Sequence, residues 1–357
     1  MYNFLLIIVK FPAKEMRTFG LLFHPKILFV MKNSKPIEHH KMVPNNQHTD
    51  IPGNPSTAKS SNVKLRTVAT ADTLRVLTME QWNFWKEQGY VVIKNAISRE
   101  QAEQTAAFLW EYEGKNPNDK NTWYTAPRSE MKMKELAGTG MVEVYNNQHL
   151  WNNRQTKKIY DAFVDIWGSE KLWVTIDRAN LNFPMRPGHE YKGFIHWDYD
   201  PETKPQNVQG VLALGNQTDE NMGGFQCIPW LFKNYDTWKL TQPEDRNHFK
   251  PDTTGLEDKI VKVSMEAGDL LIFNSSEPHG IRPNRSEDKV RTAQYISMMP
   301  AQEDNETLKE WRINSWKNRI APEGYAFPGD PRNWEQTKYE RAELSDLGKQ
   351  LLGLKKW

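Results

Sequence analysis

The sequence predicts a mainly β protein, a sandwich or jelly roll with supporting helices, and three observations predict it. From about residue 172 onward, short apolar runs follow one another with turn residues between them and no long helix intervening. Before them lie three stretches of helical periodicity, enough to cover one face of a sheet. The 357 residues, 38% of them hydrophobic, suffice for one large domain or two ordinary ones with a buried core.

The elements follow in order. Phe4–Val9 and Leu21–Met31 are apolar, but Lys10, Pro12, His24, Pro25 and Lys26 interrupt them, and neither reaches the roughly 20 residues of a spanning helix. Residues 32–70 are rich in Asn, Ser, Pro, Lys and His without apolar periodicity. Residues 1–70 therefore read as a disordered arm, or as a leader annotated too far upstream, with Met31 or Met42 as another start. Organelle targeting is the alternative. Thr78 caps a helix that stops at Gly89, and Tyr90–Ile93 is a strand. Ser98 caps a second helix to about Tyr112, with Gln101 expected to complete a capping box. Asn153–Trp167 carries Ile159, Phe163, Ile166 and Trp167 on one helical face.

Strands are expected at Leu172–Ile176, Ala179–Phe183, Val208–Leu214, Phe225–Pro229, Ile260–Val263, Leu270–Phe273 and Arg291–Met299, with a short helix over Leu231–Trp238. Residues 71–300 are then the β domain with its helices, and 301–357 a helical and loop extension packed on it.

Composition narrows the function. A net charge of +2 with no basic stripe argues against a nucleic-acid partner, and no stable membrane insertion is expected. The single cysteine, Cys227, excludes an internal disulfide framework and a Cys-rich zinc site, and it suits a reducing, cytoplasmic setting. A monomer or homodimer is expected.

The candidate chemistry centres on Phe194-Ile195-His196-Trp197-Asp198. Residues two apart in a strand share a face, so His196 and Asp198 offer an imidazole nitrogen and a carboxylate oxygen to one point, with Trp197 turned away. A second imidazole would complete a 2-His-1-carboxylate face suited to Fe(II). His279, at or beyond the end of Leu270–Phe273, is the candidate. Alone, the pair reads more readily as a strand-end histidine beside a solvated aspartate, and His279 as a loop histidine. Arg291 opens the last long strand, where its guanidinium either pairs with a carboxylate or sits as a surface cation. Arg285 and Lys289 are rivals in an exposed loop. His149 and His189 read as surface histidines, and Cys227 as a small buried hydrophobe.

His196-Trp197-Asp198, Asn221–Pro229, Ala267–Phe273, His279-Gly280 with Asn284, and Arg291, in that order, resemble the phytanoyl-CoA dioxygenase family of Fe(II)- and 2-oxoglutarate-dependent oxygenases. Gly89–Asn95 is similar to that family's start, so the match runs from about 78 to 300. The resemblance implies a double-stranded β-helix (a cupin-like jelly roll), with His196, Asp198 and His279 as iron ligands. It implies Arg291 as the anchor of the distal carboxylate of 2-oxoglutarate, with O2 as oxidant and succinate and CO2 released. Ser297 and Tyr295, of the same parity as Arg291, are expected to assist it, and Gln209 and Gln226 to contact 2-oxoglutarate. No catalytic residue is expected beyond the metal centre. A carboxylate ligand, which related halogenases lack, favours hydroxylation or another oxidation of a small molecule. Asn180, Asn182, Arg128 and Arg186 are the substrate candidates. The other readings are a non-catalytic jelly-roll module binding a sugar or acyl ligand, and an iron oxygenase acting on a polypeptide. A deep site roofed by the 112–145 and 230–257 loops would favour the small molecule.

Overall fold

Alternation along the strands determines how the molecule is layered. In this computed structural model the described residues are 59–125, 140–186, 188, 192–322, 327 and 329–357. All of them fall within the unit His39–Trp357. Among them are eleven strands: β1 Tyr90–Ile93, β2 Met141–Val142, β3 Leu172–Val174, β4 Ala179–Asn182, β5 Val208–Ala213, β6 Met222–Cys227, β7 Val261–Lys262, β8 Leu270–Asn274, β9 His279–Asn284, β10 Arg291–Tyr295 and β11 Met298–Pro300. The helices are α1 Met79–Gln88, α2 Arg99–Tyr112, α3 Gln148–Arg154, α4 Lys157–Trp167, α5 Pro229–Trp238, α6 Glu306–Asn318, α7 Trp334–Lys338 and α8 Asp346–Leu352.

A six-stranded antiparallel sheet of order β1-β8-β5-β10-β4-β2 faces a three-stranded sheet of order β7-β6-β9, and β11-β3 form a separate pair. Two apolar layers follow from the period of two. Val211, Ala213, Leu271, Phe273 and Ala293 of the large sheet meet Phe225, Cys227, Val263 and Met265 between the sheets. Their alternates Val91, Ile93, Leu181, Leu212, Leu270 and Ile272 turn outward and are buried under helices α1 to α4. This is the expected jelly roll, with helices α1 to α4 on the outer face of the large sheet.

Local signals explain most boundaries. Thr78 and Gln81 form a full capping box on α1, which Gly89 closes in the left-handed conformation. Ser98 caps α2, but Gln101 does not reach back to it. Its amide donates to Asn153 Oδ1 at 2.7 Å instead, tying α2 to α3, so the expected capping box is half formed. The helix expected over Asn153–Trp167 is two helices, because Thr156 is extended and starts α4 afresh. Phe225–Pro229 is not one strand: β6 starts earlier, at Met222, and ends at Cys227, and Pro229 opens α5. Arg291–Met299 is likewise split between two sheets, as β10 and β11. His279 stands on a strand, β9, where sequence gave a strand end or loop.

Two buried charges brace this arrangement. Asp165 of α4 accepts the consecutive backbone N–H groups of Arg75, Val76 and Leu77 at 2.8, 2.8 and 2.9 Å. Asp165→Ala orphans all three, so unfolding free energy should fall by roughly 3 kcal/mol or more, read as a lower urea midpoint at unchanged slope. Arg312 of α6 donates to the carbonyls of Leu352, Leu351 and Val174, which holds the C-terminal helix against β3. Among the described residues no helix is long and apolar enough to cross a membrane.

Candidate active site

Backbone pairing builds the centre. His196 N donates to His279 O at 2.8 Å and His279 N to His196 O at 2.9 Å, extending the small sheet by one rung. Residues that exchange both bonds lie opposite each other with side chains on one side. The two imidazoles accordingly sit 4.7 Å apart. Asp198, two residues on, brings Oδ1 within 3.1 Å of His196 Nε2 and Oδ2 within 3.5 Å of His279 Nε2. Each residue offers one ligand atom, and all three lie within 4.8 Å of one another.

The approach of these backbones depends on Gly280. A Cβ there would lie 1.8 Å from the Phe194 carbonyl oxygen. Gly280→Ala must therefore push Phe194 and His196 off β9. We expect a loss of more than about tenfold in Mn(II) affinity by calorimetry, with destabilisation of a few kcal/mol.

The protonation states suit metal binding. Burial pushes the His279 imidazole down to about 4, against the raising effect of Asp198. It is therefore neutral near pH 7. Its Nδ1 lies 2.9 Å from the Glu277 carbonyl, so Nδ1–H donates there and leaves the Nε2 lone pair facing Asp198. Burial would raise the Asp198 carboxyl, but the hydrogen bond from His196, the electrostatic influence of the two imidazoles and the Gln209 amide hold it below the ordinary carboxylate range. Phe225 stacks on the His279 ring at 5.9 Å, Phe273 packs on it at 4.4 Å, and Phe194 lies 4.7 Å from His196.

A second polar group lies between the sheets, at the start of β10. Arg291 is fully buried. Its Nε donates to Gln217 Oε1 at 3.0 Å and its Nη1 to Asn180 Oδ1 at 3.2 Å. Nη2 is buried with no protein partner, and among the described residues no carboxylate pairs with this guanidinium. A buried arginine in that state is completed by an incoming carboxylate. The residues present thus fit both groups implied: two imidazoles and a carboxylate for Fe(II), and an incompletely bonded guanidinium for a dicarboxylate co-substrate.

The other sequence candidates divide. Tyr295 shares the inner face with Arg291 and packs with Val211 and Phe225. Ser297 does not join it, because the chain leaves β10 after Tyr295. Its Oγ accepts from Gly210 N at 3.0 Å and its backbone N donates to Thr175 Oγ1. Gln209 donates to the Asp198 carboxylate. Gln226 alternates with the inward Phe225 and Cys227, and donates to the Phe194 carbonyl. Asn180 and Asn182 line the Arg291 end, paired in register with Ala293 and Arg291. Asn182 Oδ1 is buried without a partner.

Arg186 is exposed, its guanidinium 4.7 Å over the Tyr124 ring. Arg128 and His189 lie outside the described residues, as does 126–139, the middle of one expected roof loop. Arg285 is exposed, and Lys289 forms a surface ion pair with Asp219 at 2.5 Å. His149 stacks on Phe108. Trp197 turns away from the centre, donating to the Ser276 carbonyl. Cys227 is buried and free. Sequence reasoning missed Gln217, the partner of Arg291, and Arg282, a buried arginine on β9.

Comparison with known proteins agrees with this geometry. Residues 85–293 match the family model for phytanoyl-CoA dioxygenase, more than half of the chain. A Dictyostelium discoideum protein named for phytanoyl-CoA dioxygenase is 25% identical over 321 residues, covering 76% of this chain and 86% of the relative. Ava biosynthesis cluster protein O of Aspergillus versicolor is 25% identical over 247 residues, covering 62% and 79%. Among solved structures, GlcNAc Inducible Gene 2 of Candida albicans shares the fold with a TM-score of 0.57 at 15% identity, covering 80% of this chain and 78% of that one. With its His-Asp-His centre at the end of paired strands, the chain belongs to the phytanoyl-CoA dioxygenase family and is an Fe(II)- and 2-oxoglutarate-dependent oxygenase.

Proposed function

We propose that this oxygenase hydroxylates a small organic substrate, with iron held by His196, Asp198 and His279 and with the distal carboxylate of 2-oxoglutarate anchored by Arg291. The observation that carries the reading is the pair of incomplete sites between the same two sheets: three converging ligand atoms, and a buried guanidinium with an unpaired N–H. Iron and 2-oxoglutarate supply the oxidation, consuming O2 and releasing succinate and CO2. The protein's own residues do the rest. Glu277 O fixes the His279 tautomer, and Gln209 holds the Asp198 carboxylate toward the imidazoles. Phe194, Phe225 and Phe273 keep water from the rings.

A small molecule is favoured over a polypeptide because the centre is recessed. The side chains of His196, Asp198 and His279 are only 17, 11 and 9% exposed. Similarity to a protein named for a biosynthesis cluster points the same way. A cytoplasmic location completes the proposal, supported by the single, buried cysteine. The test is a substrate screen by succinate release, followed by mass analysis of the product formed under 18O2. A product heavier by one labelled oxygen is expected; a desaturated or demethylated product would refute hydroxylation.

A further inference from the structure

Arg282 has no part in the reading above, yet it is only 5% exposed. Its Nη1 donates to the Phe225 carbonyl at 2.9 Å and its Nη2 to the Gly223 carbonyl at 2.5 Å. Nε is buried without a partner, and among the described residues no carboxylate pairs with it. Burial, reinforced by the charge of Arg291, pushes this guanidinium down to about 10.

Geometry joins the two arginines. A Cβ built on Gly224 would lie 3.0 Å from Arg282 Nη2 and 3.5 Å from Gln217 Oε1, the same oxygen that accepts from Arg291 Nε at 3.0 Å. One built on the neighbouring Gly223 would lie 3.2 Å from Asn182 Oδ1. At both glycines a Cβ would crowd its neighbours, so the Gly223–Gly224 backbone lies close against Arg282, Gln217 and Asn182, and Gln217 links this cluster to Arg291. The two buried cations repel each other, and neither has a carboxylate in contact, although the Glu220 charge acts on Arg282 from farther off. An anion entering between them relieves both.

We propose that Arg282 is a second, positioning cation for the distal carboxylate of 2-oxoglutarate, acting by charge rather than contact and tuning the site toward 2-oxo dicarboxylates over 2-oxo monocarboxylates. The inference rests on the co-substrate reading of Arg291. Contact is left to Arg291, because both terminal nitrogens of Arg282 are committed to backbone carbonyls. Its charge nonetheless acts between buried groups, where screening is weak.

The test is anaerobic titration of the full-length, Mn(II)-loaded protein with 2-oxoglutarate and, separately, with 2-oxobutyrate, followed by calorimetry. Arg282→Met should raise the 2-oxoglutarate Kd roughly tenfold and lower the preference over 2-oxobutyrate by a similar factor, with Mn(II) affinity unchanged. Arg282→Lys keeps the charge but cannot make both carbonyl bonds, so it should stay within about threefold of wild type. Lysine as damaging as methionine would make Arg282 a mere brace for the Gly223–Phe225 backbone, and an unchanged Arg282→Met would remove it from the site; either overturns the proposal. Arg282→Gln replaces the methionine variant if that one does not fold. Arg291→Gln, run alongside, separates the two claims. If it loses 2-oxoglutarate while Arg282→Met does not, only the role of Arg282 fails. If neither loses it, the co-substrate reading fails as well.

Discussion

Alanine at His196, Asp198 or His279 should lower iron affinity by more than about 100-fold and abolish 2-oxoglutarate turnover, while far-UV circular dichroism stays that of a folded protein. The magnitude follows from geometry. Loss of an outer partner of a metal ligand typically costs 10- to 100-fold, and loss of the ligand itself removes one of only three donors. The three variants should not behave alike in the metal-free protein. His279→Ala removes a ring packed between Phe225 and Phe273, so it leaves a cavity and costs stability. Asp198→Ala leaves the Gln209 amide without its acceptor, and Gln209 Nε2 has no other hydrogen bond that the geometry supplies. His196 is the most exposed of the three, so its truncation should disturb the fold least. A metal titration followed by urea unfolding separates the two effects. Iron affinity within threefold of wild type in any one variant would remove that residue from the centre.

Arg291→Gln should weaken 2-oxoglutarate binding by two to three orders of magnitude, about 3–4 kcal/mol, with metal affinity retained. The same substitution should leave the co-substrate-free protein as stable as wild type or more so. In that state wild type holds a buried cation that, among the described residues, is bonded to the neutral Gln217 and Asn180. Replacing an unpaired buried charge by a neutral group of similar shape costs little and can stabilise. Thermal melting with and without 2-oxoglutarate reads both halves of the prediction, because a ligand stabilises in proportion to ln(1 + [L]/Kd). Wild type should gain melting temperature on addition of metal and 2-oxoglutarate, and the variant should gain it from metal alone. A variant that melts far below wild type without ligand would make Arg291 a structural residue.

Much of this site was legible in the sequence, and the reasons differ by residue. His196 and Asp198 were readable because a two-residue spacing in an extended segment fixes a common face whatever the sheet does. Arg291 alone read equally as a surface cation, and only its place after His279 in the order of motifs singled it out. Parity carried correctly from Arg291 to Tyr295 and failed at Ser297, where the chain passes from β10 toward β11 in another sheet. Gln226 failed for a related reason. The run Phe225-Gln226-Cys227 does not reveal which neighbour of the glutamine faces inward until β9 is laid against it. Arg282 escaped because His279–Asn284 contains Gly280, Pro283 and Asn284, all poor strand formers, so no strand was expected there and its arginine was not singled out. What makes it a strand is tertiary pairing with β6 on one side and His196 on the other. The diversion of Gln101 to Asn153 has the same origin, a contact from a distant element that outweighs a local preference.

The central claim is that one recessed site binds iron and 2-oxoglutarate together, and an anaerobic titration tests it most directly. Fe(II) and 2-oxoglutarate are added separately and then jointly to the purified protein, and the weak visible charge-transfer absorption of the chelate is followed. The account predicts a band that requires both additions, is absent in His279→Ala, and in Arg291→Gln appears only at 2-oxoglutarate concentrations about 100-fold higher. No band in folded, metal-loaded wild-type protein, or a band of unchanged midpoint in both variants, would contradict it.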